Sequence, residues 1–269
     1  MFWHDSIVLV KFQSQGPSER APNPSQKSQQ PGHKPFIVFD LNGVLCHTAH
    51  VPKVPTASYR SPKEMDYDGD YDTLINRKAV RARPGLRAFL REVLDLAHVV
   101  VWSSMVSDNT EPIVRFLFSS LPGPCLVLGQ EDCDELFDDK GALVPKFGGK
   151  GGQQFLKILN SKLWVGIPLL EGVPYGWWPT AENTLLVDNS PTKSVLNPPG
   201  SAIFPDTWTG SRKDTFLLDE LAPYLRRLVR HPGSVPDFVL SNPFGNGPVP
   251  PTSDVYTAIW RLAESNNLI

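Results

Sequence analysis

The clearest structural signal in this chain is the stretch Phe36-Ile37-Val38-Phe39-Asp40-Leu41-Asn42-Gly43-Val44-Leu45. Its first four residues form an apolar run bounded by Pro35 and Gly43. A short run of this kind is typical of a strand that is buried on both faces. Because Asp40 closes the run, the sequence predicts a buried strand with a carboxylate at its carboxyl end.

The same alternation of strands and helices continues along the chain. A helix is expected to begin at Pro84, since proline is favoured in the first helical turn. Further strands are expected at 99–102, 125–128, 185–188 and 202–204. Further helices are expected after a cap at Asp108 or Asn109, over 155–163 after the glycine run 148–152, and over 217–228. The pattern predicts an α/β fold with a mainly parallel sheet flanked by helices.

Composition divides the chain into three parts. Residues 1–35 are rich in proline, glutamine and serine, and such segments bury too little apolar surface to offset their ordering entropy. We therefore expect a flexible N-terminal segment over 1–35 and the α/β domain over 36–231. Residues 232–269 are expected to be a Pro/Gly-rich C-terminal extension with a short helix. Within the domain, the polar region 46–82 predicts a small flap or hairpin, and no insertion predicts a large cap.

The charge balance and the cysteines restrict the class of protein. Lys plus Arg number 26 and Asp plus Glu number 28, which argues against a general nucleic-acid binder with its usual basic surplus. No apolar run approaches the roughly 20 residues of a membrane span. The three cysteines are an odd, sparse count that suits a reducing compartment. We expect an intracellular protein of the nucleus or cytoplasm, with an organelle as the alternative, that contacts neither nucleic acid directly nor a membrane.

Polar side chains follow three of the expected strands, at the ends where ligands bind in parallel sheets. The carboxylate of Asp40 can attack phosphorus and form an aspartyl phosphate. The hydroxyl of Ser103 can hydrogen-bond a phosphoryl oxygen. Asp188 and Asn189 offer the oxygen ligands that magnesium requires. Taken alone, each of these residues is also a common turn or cap residue.

Lys157 is the candidate cation of this site, on the helix expected over 155–163. An ammonium group there would offset the charge of a phosphoryl group. Most lysines on helices are solvated, and Lys150 and Lys162 are alternatives for the same role.

Four motifs occur in a fixed order along the chain. They are Phe39-Asp40-Leu41-Asn42-Gly43-Val44-Leu45, Arg83-Pro84-Gly85-Leu86, Trp102-Ser103-Ser104 and Leu186-Val187-Asp188-Asn189-Ser190-Pro191. Together they resemble the haloacid dehalogenase superfamily, and more closely the RNA polymerase II C-terminal-domain phosphatase family with its small-phosphatase relatives. The resemblance runs from about residue 36 to about residue 244. It implies a Rossmann-like domain that hydrolyses phosphomonoesters with magnesium.

The resemblance also implies a role for each matching residue. Asp40 would be the nucleophile, Ser103 the motif-two hydroxyl and Lys157 the motif-three cation. Magnesium would be held by Asp40, the main-chain carbonyl of Asn42, Asp188 and Asn189.

Asn42 departs from the family pattern, which has aspartate at this position. In the family that aspartate protonates the leaving oxygen and later activates water. An amide can do neither as an acid or base, and the loss of a general acid typically costs roughly 10²–10⁴-fold in rate. The resemblance therefore predicts the fold more firmly than it predicts turnover.

Three functions fit these observations. The first is a magnesium-dependent phosphoprotein phosphatase acting on phosphoserine or phosphothreonine. The second is a catalytically silent relative that binds phosphoproteins or other partners, which Asn42 favours. The third, a small-molecule phosphatase, is disfavoured because no large cap is expected. A Pro-containing phosphopeptide is the expected partner, with Pro174, Tyr175 and Trp177 as docking residues unless the tryptophan simply packs on the domain.

Overall fold

The computed structural model describes residues 34–51, 71–147, 152–159, 172–174 and 177–269. The strands are β1 (Phe36–Phe39), β2 (Cys46–His50), β3 (Thr73–Ile75), β4 (Lys78–Ala82), β5 (His98–Trp102), β6 (Leu126–Leu128), β7 (Asp134–Glu135), β8 (Phe155–Leu156), β9 (Thr184–Val187) and β10 (Ala202–Ile203). The α-helices are α1 (Leu86–Leu96), α2 (Ser107–Leu117), α3 (Ala222–Arg230), α4 (Val235–Ser241) and α5 (Asp254–Ser265). A π-helical turn, Leu217–Leu221, leads into α3. In the described residues, 3₁₀ turns lie at Gln130–Asp132 and Pro191–Ser194.

The central sheet has five parallel strands in the order β10-β9-β1-β5-β6. β1 is the middle strand, and its Phe39 lies opposite Val101 on one side and Val187 on the other. Alternate β1 side chains, such as Ile37 and Val38, enter the cores on opposite faces of the sheet. Burial on both faces explains the continuous apolar run in the sequence. The predicted α/β fold class is confirmed.

Helices α1 to α4 contribute to the larger of the cores. Phe89, Ile113, Leu225 and Phe238 are among the side chains that these helices bury in this main core. Each such buried side chain stabilises the fold by roughly 1.5–3 kcal/mol relative to an exposed one. On the other face, Leu159 and Trp177 pack in the second core.

A small antiparallel sheet in the order β2-β4-β3 forms the flap. Asn76 and Arg77 join β3 to β4 with φ values of 45° and 62°, the left-handed pair that a two-residue type I′ hairpin turn requires. The side chain of Asn76 donates to the carbonyl of Asp108 in α2 at 2.7 Å, which anchors the tip of the flap. The flap expected within 46–82 is thus confirmed, and residues 52–70 lie outside the described residues.

The helix expected over 155–163 is wrong for its described part. Residues Phe155–Leu156 form β8, which pairs with β7. Leu156 packs in a third core with Ile259 of α5, whereas Leu159 packs in the second core on the sheet. Two separate cores therefore account for an apolar spacing that imitates one helix face. Residues 160–163 lie outside the described part of the chain.

Two helix starts also differ from expectation. Helix α1 begins at Leu86, after Gly85 in the left-handed conformation with φ 77°, and not at Pro84. Helix α2 follows Val106, and neither Asp108 nor Asn109 caps it. Instead the carboxylate of Glu131 accepts from the N–H and the hydroxyl of Ser107, so a neighbouring turn supplies the cap.

The C-terminal residues 232–269 contain both α4 and α5. Val235 and Phe238 of α4 belong to the main core, and Ile259 of α5 belongs to the third core. The domain boundary at residue 231 stays a prediction. So does the flexibility of 1–35, of which 1–33 lie outside the described residues. None of the helices in the described part of the chain has the length and apolar character to span a membrane.

Candidate active site

Three parallel strands bring the predicted site residues to one edge of the sheet. Asp40 follows β1, Ser103 follows β5 and Asp188 follows β9. The main-chain N–H of each of these residues still donates to the neighbouring strand. The N–H of Asp40, for example, donates to the carbonyl of Val187 at 2.9 Å. The three residues are almost completely buried, with 3%, 1% and 0% of their surface exposed.

Lys157 joins the two carboxylates. Its ammonium nitrogen lies 2.7 Å from Asp40 Oδ1, 2.6 Å from Asp188 Oδ2 and 2.5 Å from the carbonyl oxygen of Trp102. The ammonium group has three N–H donors, and each has an acceptor, so this fully buried cation is satisfied. Lys157 comes directly after β8 rather than lying on a helix, while Lys150 and Lys162 lie outside the described residues.

The ion pairs shift the pKa values of both partners. Burial alone would lower the pKa of Lys157, but the carboxylates of Asp188 and Asp40 outweigh burial and raise it. Burial alone would raise the pKa of Asp188, but the ammonium groups of Lys157 and Lys193 lower it to about 2. At neutral pH the site therefore holds fixed charges, and Lys157 is a poor proton donor.

Lys193 is a second cation in the site, which sequence reasoning missed. Its Nζ lies 3.1 Å from each oxygen of Asp188 and 3.5 Å from Asp40 Oδ2. It lies in the 3₁₀ turn Pro191–Ser194, where its N–H donates to the carbonyl of Ser190 at 3.1 Å. The signal available in the sequence was a lysine two residues after the Asp-Asn-Ser-Pro motif, where the turn begun by Pro191 folds back on Asp188.

The backbones of the two lysines are held together. The N–H of Lys157 donates to the carbonyl of Lys193 at 2.7 Å. The side chain of Asn197 donates to the carbonyl of Lys157 and accepts from the N–H of Leu159, each at 2.8 Å. These bonds fix the strand extension that carries Lys157 against the turn that carries Lys193.

Asn42 is exposed and faces the flap. Its side-chain oxygen accepts from the N–H of Thr48 in β2 at 2.8 Å. The neighbouring Gly43 has φ +89°, and a Cβ there would lie 2.5 Å from the Asn189 amide nitrogen. That amide donates to the hydroxyl of Thr207 at 2.8 Å. Glycine is therefore required where the loop after β1, residues 40–45, passes Asn189.

The loop after β10 is hydrogen-bonded to the loop after β1. The N–H of Trp208 donates to the carbonyl of Gly43 at 2.9 Å. Arg83 holds both oxygens of Asp214 at 2.7 and 2.9 Å and donates to the carbonyl of Val44 at 3.1 Å. Its guanidinium also lies 4.3 Å from the centre of the Phe216 ring. A planar, permanently charged fork suits this position in a way that lysine would not.

Ser103 and Trp177 lie in well-packed surroundings. The Ser103 hydroxyl oxygen accepts from the N–H of Met105 at 3.1 Å, and its contact with a phosphoryl group stays a prediction. The indole of Trp177 donates to the carbonyl of Lys34 at 2.9 Å and packs against the second core. This packing weakens the case for Trp177 as a docking residue. Tyr175 lies outside the described residues.

The residues that the resemblance assigns to magnesium do not fit a dication in this arrangement. Asp40 and Asp188 carry two negative charges, and the ammonium groups of Lys157 and Lys193 already lie against them. In the stretches that the structure describes, no group of three or more His, Cys, Asp and Glu residues could hold a metal ion. The magnesium binding that the resemblance implies is therefore not shown by this arrangement of charges.

Comparisons with known proteins agree with the motifs. A family model described as NLI interacting factor-like phosphatase matches residues 35–236. An uncharacterized protein of Schizosaccharomyces pombe is 23% identical over 199 residues, which cover 74% of this chain and 49% of that protein. This chain thus spans about half the length of that curated relative.

Solved structures of a CTD phosphatase align with the chain at low similarity. The structure of Fcp1, an essential RNA polymerase II CTD phosphatase, has a TM-score of 0.38 at 12% identity, over 86% of this chain and 62% of that one. A fission yeast Fcp1 variant bound to beryllium fluoride has a TM-score of 0.37 at 12% identity, over 87% and 63%. Because the family model covers most of the sequence, the resemblance drawn from the motifs is confirmed, and this chain belongs to the NLI interacting factor-like phosphatase family.

Proposed function

We propose that this chain recognises phosphoserine or phosphothreonine in protein segments and hydrolyses these esters slowly, with Asp40 as the nucleophile. One observation carries the proposal: Lys157 holds Asp40 and Asp188 together at the ends of β1 and β9, beside a motif position that has no acid. A buried cation next to a carboxylate nucleophile offsets the charge that a phosphoryl group brings.

The chemistry follows from these groups. An Asp40 oxygen attacks phosphorus, the bond from phosphorus to the ester oxygen breaks, and that oxygen leaves with the bonding electrons. Water then attacks the aspartyl phosphate and releases phosphate. Asn42 cannot donate a proton in the first step or accept one in the second. Lys157 does not replace it, because its raised pKa keeps the proton on nitrogen.

The leaving group therefore governs the rate. A nitrophenolate departs without protonation, whereas a serine or threonine alkoxide needs a proton. We expect slow turnover of phosphoproteins beside faster turnover of aryl phosphates, since a missing general acid costs roughly 10²–10⁴-fold.

A protein segment is the proposed ligand because the described structure around the site consists of the small flap and the loop after β10. A Pro-containing phosphopeptide from an intracellular partner, nuclear or cytoplasmic, remains part of this proposal. Magnesium dependence is not part of this proposal, because the ammonium group of Lys193 already lies against the Asp188 carboxylate.

A second candidate function is phosphoprotein binding without turnover. Asn42 and the doubly paired Asp188 favour it, because both reduce reactivity without removing the cations that attract a phosphoryl group.

A paired assay tests the proposal. Nitrophenyl phosphate and a phosphoserine peptide are compared as substrates for the wild type and for Asp40→Asn, and peptide binding is followed by fluorescence anisotropy. Hydrolysis of the aryl ester that is lost in Asp40→Asn, with a much slower rate on the bound peptide, is the expected result. Binding of the peptide without hydrolysis of either ester would support the second function. Failure to bind or hydrolyse either phosphate would contradict both.

A further inference from the structure

The charge of the site differs from the charge that the family pattern implies. With aspartate at position 42 and one lysine, the pattern has three carboxylates and a net charge of −2, which a dication neutralises. Here position 42 carries a neutral amide, and Lys193 adds a second ammonium group. The ionised groups of Asp40, Asp188, Lys157 and Lys193 therefore sum to zero.

The placement of Lys193 is built into the fold. Only 8% of its surface is exposed, and an ammonium group in such surroundings is stable when it is paired and hydrogen-bonded. Asp188 supplies both bonds at 3.1 Å. The main-chain bond from Lys157 to Lys193 fixes the turn from the other side. Lys193 is thus held beside the carboxylate pair by side-chain and main-chain contacts together.

We propose that Lys193 supplies from the chain itself the positive charge that a metal ion would bring to Asp40 and Asp188, so that the site takes a phosphoryl anion without a divalent cation. The proposal deepens the proposed function and rests on it for the identity of the anion. The ammonium group lies 3.5 Å from Asp40 Oδ2, beyond hydrogen-bond distance but adjacent to the atom that would face phosphorus. Lysine binds phosphate as a point charge and needs no fixed bidentate geometry.

A dication would have to displace Lys193 or share the carboxylates with it. Because two like charges close together repel strongly in a buried site, the wild type should bind magnesium weakly. Removing the ammonium group should leave Asp40 and Asp188 with one cation and make magnesium binding favourable.

Two titrations test this inference on the full chain, with magnesium alone and inorganic phosphate alone as probes. Magnesium is titrated calorimetrically into the wild type, Lys193→Met and Lys193→Arg. Lys213→Met, at an exposed lysine outside the carboxylate cluster, is the matched surface control. Phosphate binding is then followed by thermal unfolding, once in excess chelator and once in magnesium.

We expect magnesium to bind Lys193→Met at least about tenfold more tightly than it binds the wild type, Lys193→Arg or Lys213→Met. Phosphate should stabilise the wild type equally with and without magnesium, and should stabilise Lys193→Met only in its presence. Tight magnesium binding by the wild type, weakened by Asp188→Asn, would overturn the inference even if Lys193→Met failed to fold. Equal magnesium affinities in the wild type and a folded Lys193→Met would overturn it as well.

The experiment separates this inference from the proposed function. If the magnesium affinities differ as expected but phosphate stabilises no protein under either condition, the replacement of the metal by Lys193 is supported and phosphoryl recognition is contradicted. If phosphate stabilises the wild type only with magnesium, phosphoryl recognition is supported and the role given to Lys193 is wrong.

Discussion

Lys157 Nζ lies 2.6 Å from Asp188 Oδ2, and neither side chain has any exposed surface. The pair connects the end of β9 with the segment after β8, at the edge of the sheet where Asp40 also lies. Its energetic importance comes from burial, because removal of either charge leaves the remaining charges of the cluster unbalanced and shielded from water.

Removal of the Lys157 ammonium group should strongly destabilise the fold. Lys157→Met leaves two buried carboxylates with one remaining cation, and loss of one partner of a buried pair costs about 3–5 kcal/mol. The free energy of unfolding in urea measures the change. Arg115→Met is the control, because its pair with Glu111 is exposed and should contribute less than about 1 kcal/mol. Equal losses in the two variants would contradict the role given to the buried pair.

The stability of the protein should depend on Asp188 at acid pH. The ammonium groups of Lys157 and Lys193 lower its folded-state pKa from 3.8 to about 2, against the opposite effect of burial. Its stabilising contribution is therefore complete above about pH 4 and is lost as the pH falls toward 2, by at most about 1.4 kcal/mol per pH unit. Unfolding free energies measured across this range should fall less steeply in Asp188→Asn. Parallel curves for the two proteins would exclude this linkage.

The apolar runs of the sequence were sufficient to predict much of this architecture. β1, β5 and β9 are buried on both faces, so each appears in the sequence as a continuous apolar run without polar alternation. Because parallel strands end on one edge, the proximity of Asp40, Ser103 and Asp188 followed from the order of elements alone. The structure joins Asp40 and Asp188 through the ammonium group of Lys157, and it places Ser103 directly after the neighbouring strand β5.

What the sequence did not reveal depends on contacts between distant segments. The apolar spacing around strand β8 predicts a helix, but Leu156 and Leu159 pack in different cores. Lys193 was missed because its approach to Asp188 depends on a short 3₁₀ turn, which has no hydrophobic periodicity. The cap of α2 was misassigned because Glu131, from another turn, supplies it.

Gly43 should tolerate no side chain without loss of the site. In Gly43→Ala the new Cβ would meet the Asn189 amide at 2.5 Å and Thr207 at 3.0 Å, with φ at +89°. Gly141→Ala is the matched control, since it has φ +75° and nothing within 4 Å of its Cβ. The control should lose only the cost of left-handed backbone, about 1–2 kcal/mol. Gly43→Ala should lose more stability than the control, as measured by thermal unfolding, and should bind phosphate less tightly. Equal losses of stability in the two variants would show that the close approach to Asn189 is unimportant.

Asn42→Asp should increase turnover of alkyl phosphates by roughly 10²-fold or more, because it restores a group that can donate and accept the proton. The variant should fold normally, since a carboxylate oxygen can accept the bond from Thr48 as the amide oxygen does. Rates on phosphoserine peptides and nitrophenyl phosphate measure the effect, which should be larger for the peptide. An equal rate in freshly prepared wild type would contradict this account.

Deamidation of Asn42 would also produce aspartate, so the comparison of wild type with Asn42→Asp needs a control for it. Asn42 precedes Gly43, and in an Asn-Gly pair the glycine nitrogen can attack the side-chain amide, release ammonia and form a succinimide, which water then opens to aspartate or isoaspartate. Here the N–H of Gly43 donates to the carbonyl of Cys46 at 2.7 Å, which should slow the reaction. Peptide mass mapping of fresh and aged protein should find little conversion, and activity that increases in step with conversion would identify aspartate as its source.

The most direct test of the central claim is to trap the phosphoenzyme. The wild type is mixed with nitrophenyl phosphate, quenched in acid within the first turnover and analysed by peptide mass spectrometry. The account predicts one phosphoryl group on Asp40, none in Asp40→Asn, and a shorter-lived adduct in Asn42→Asp, where the carboxylate activates water. Turnover of nitrophenyl phosphate with no adduct on Asp40, or with the phosphoryl group on another residue, would contradict it.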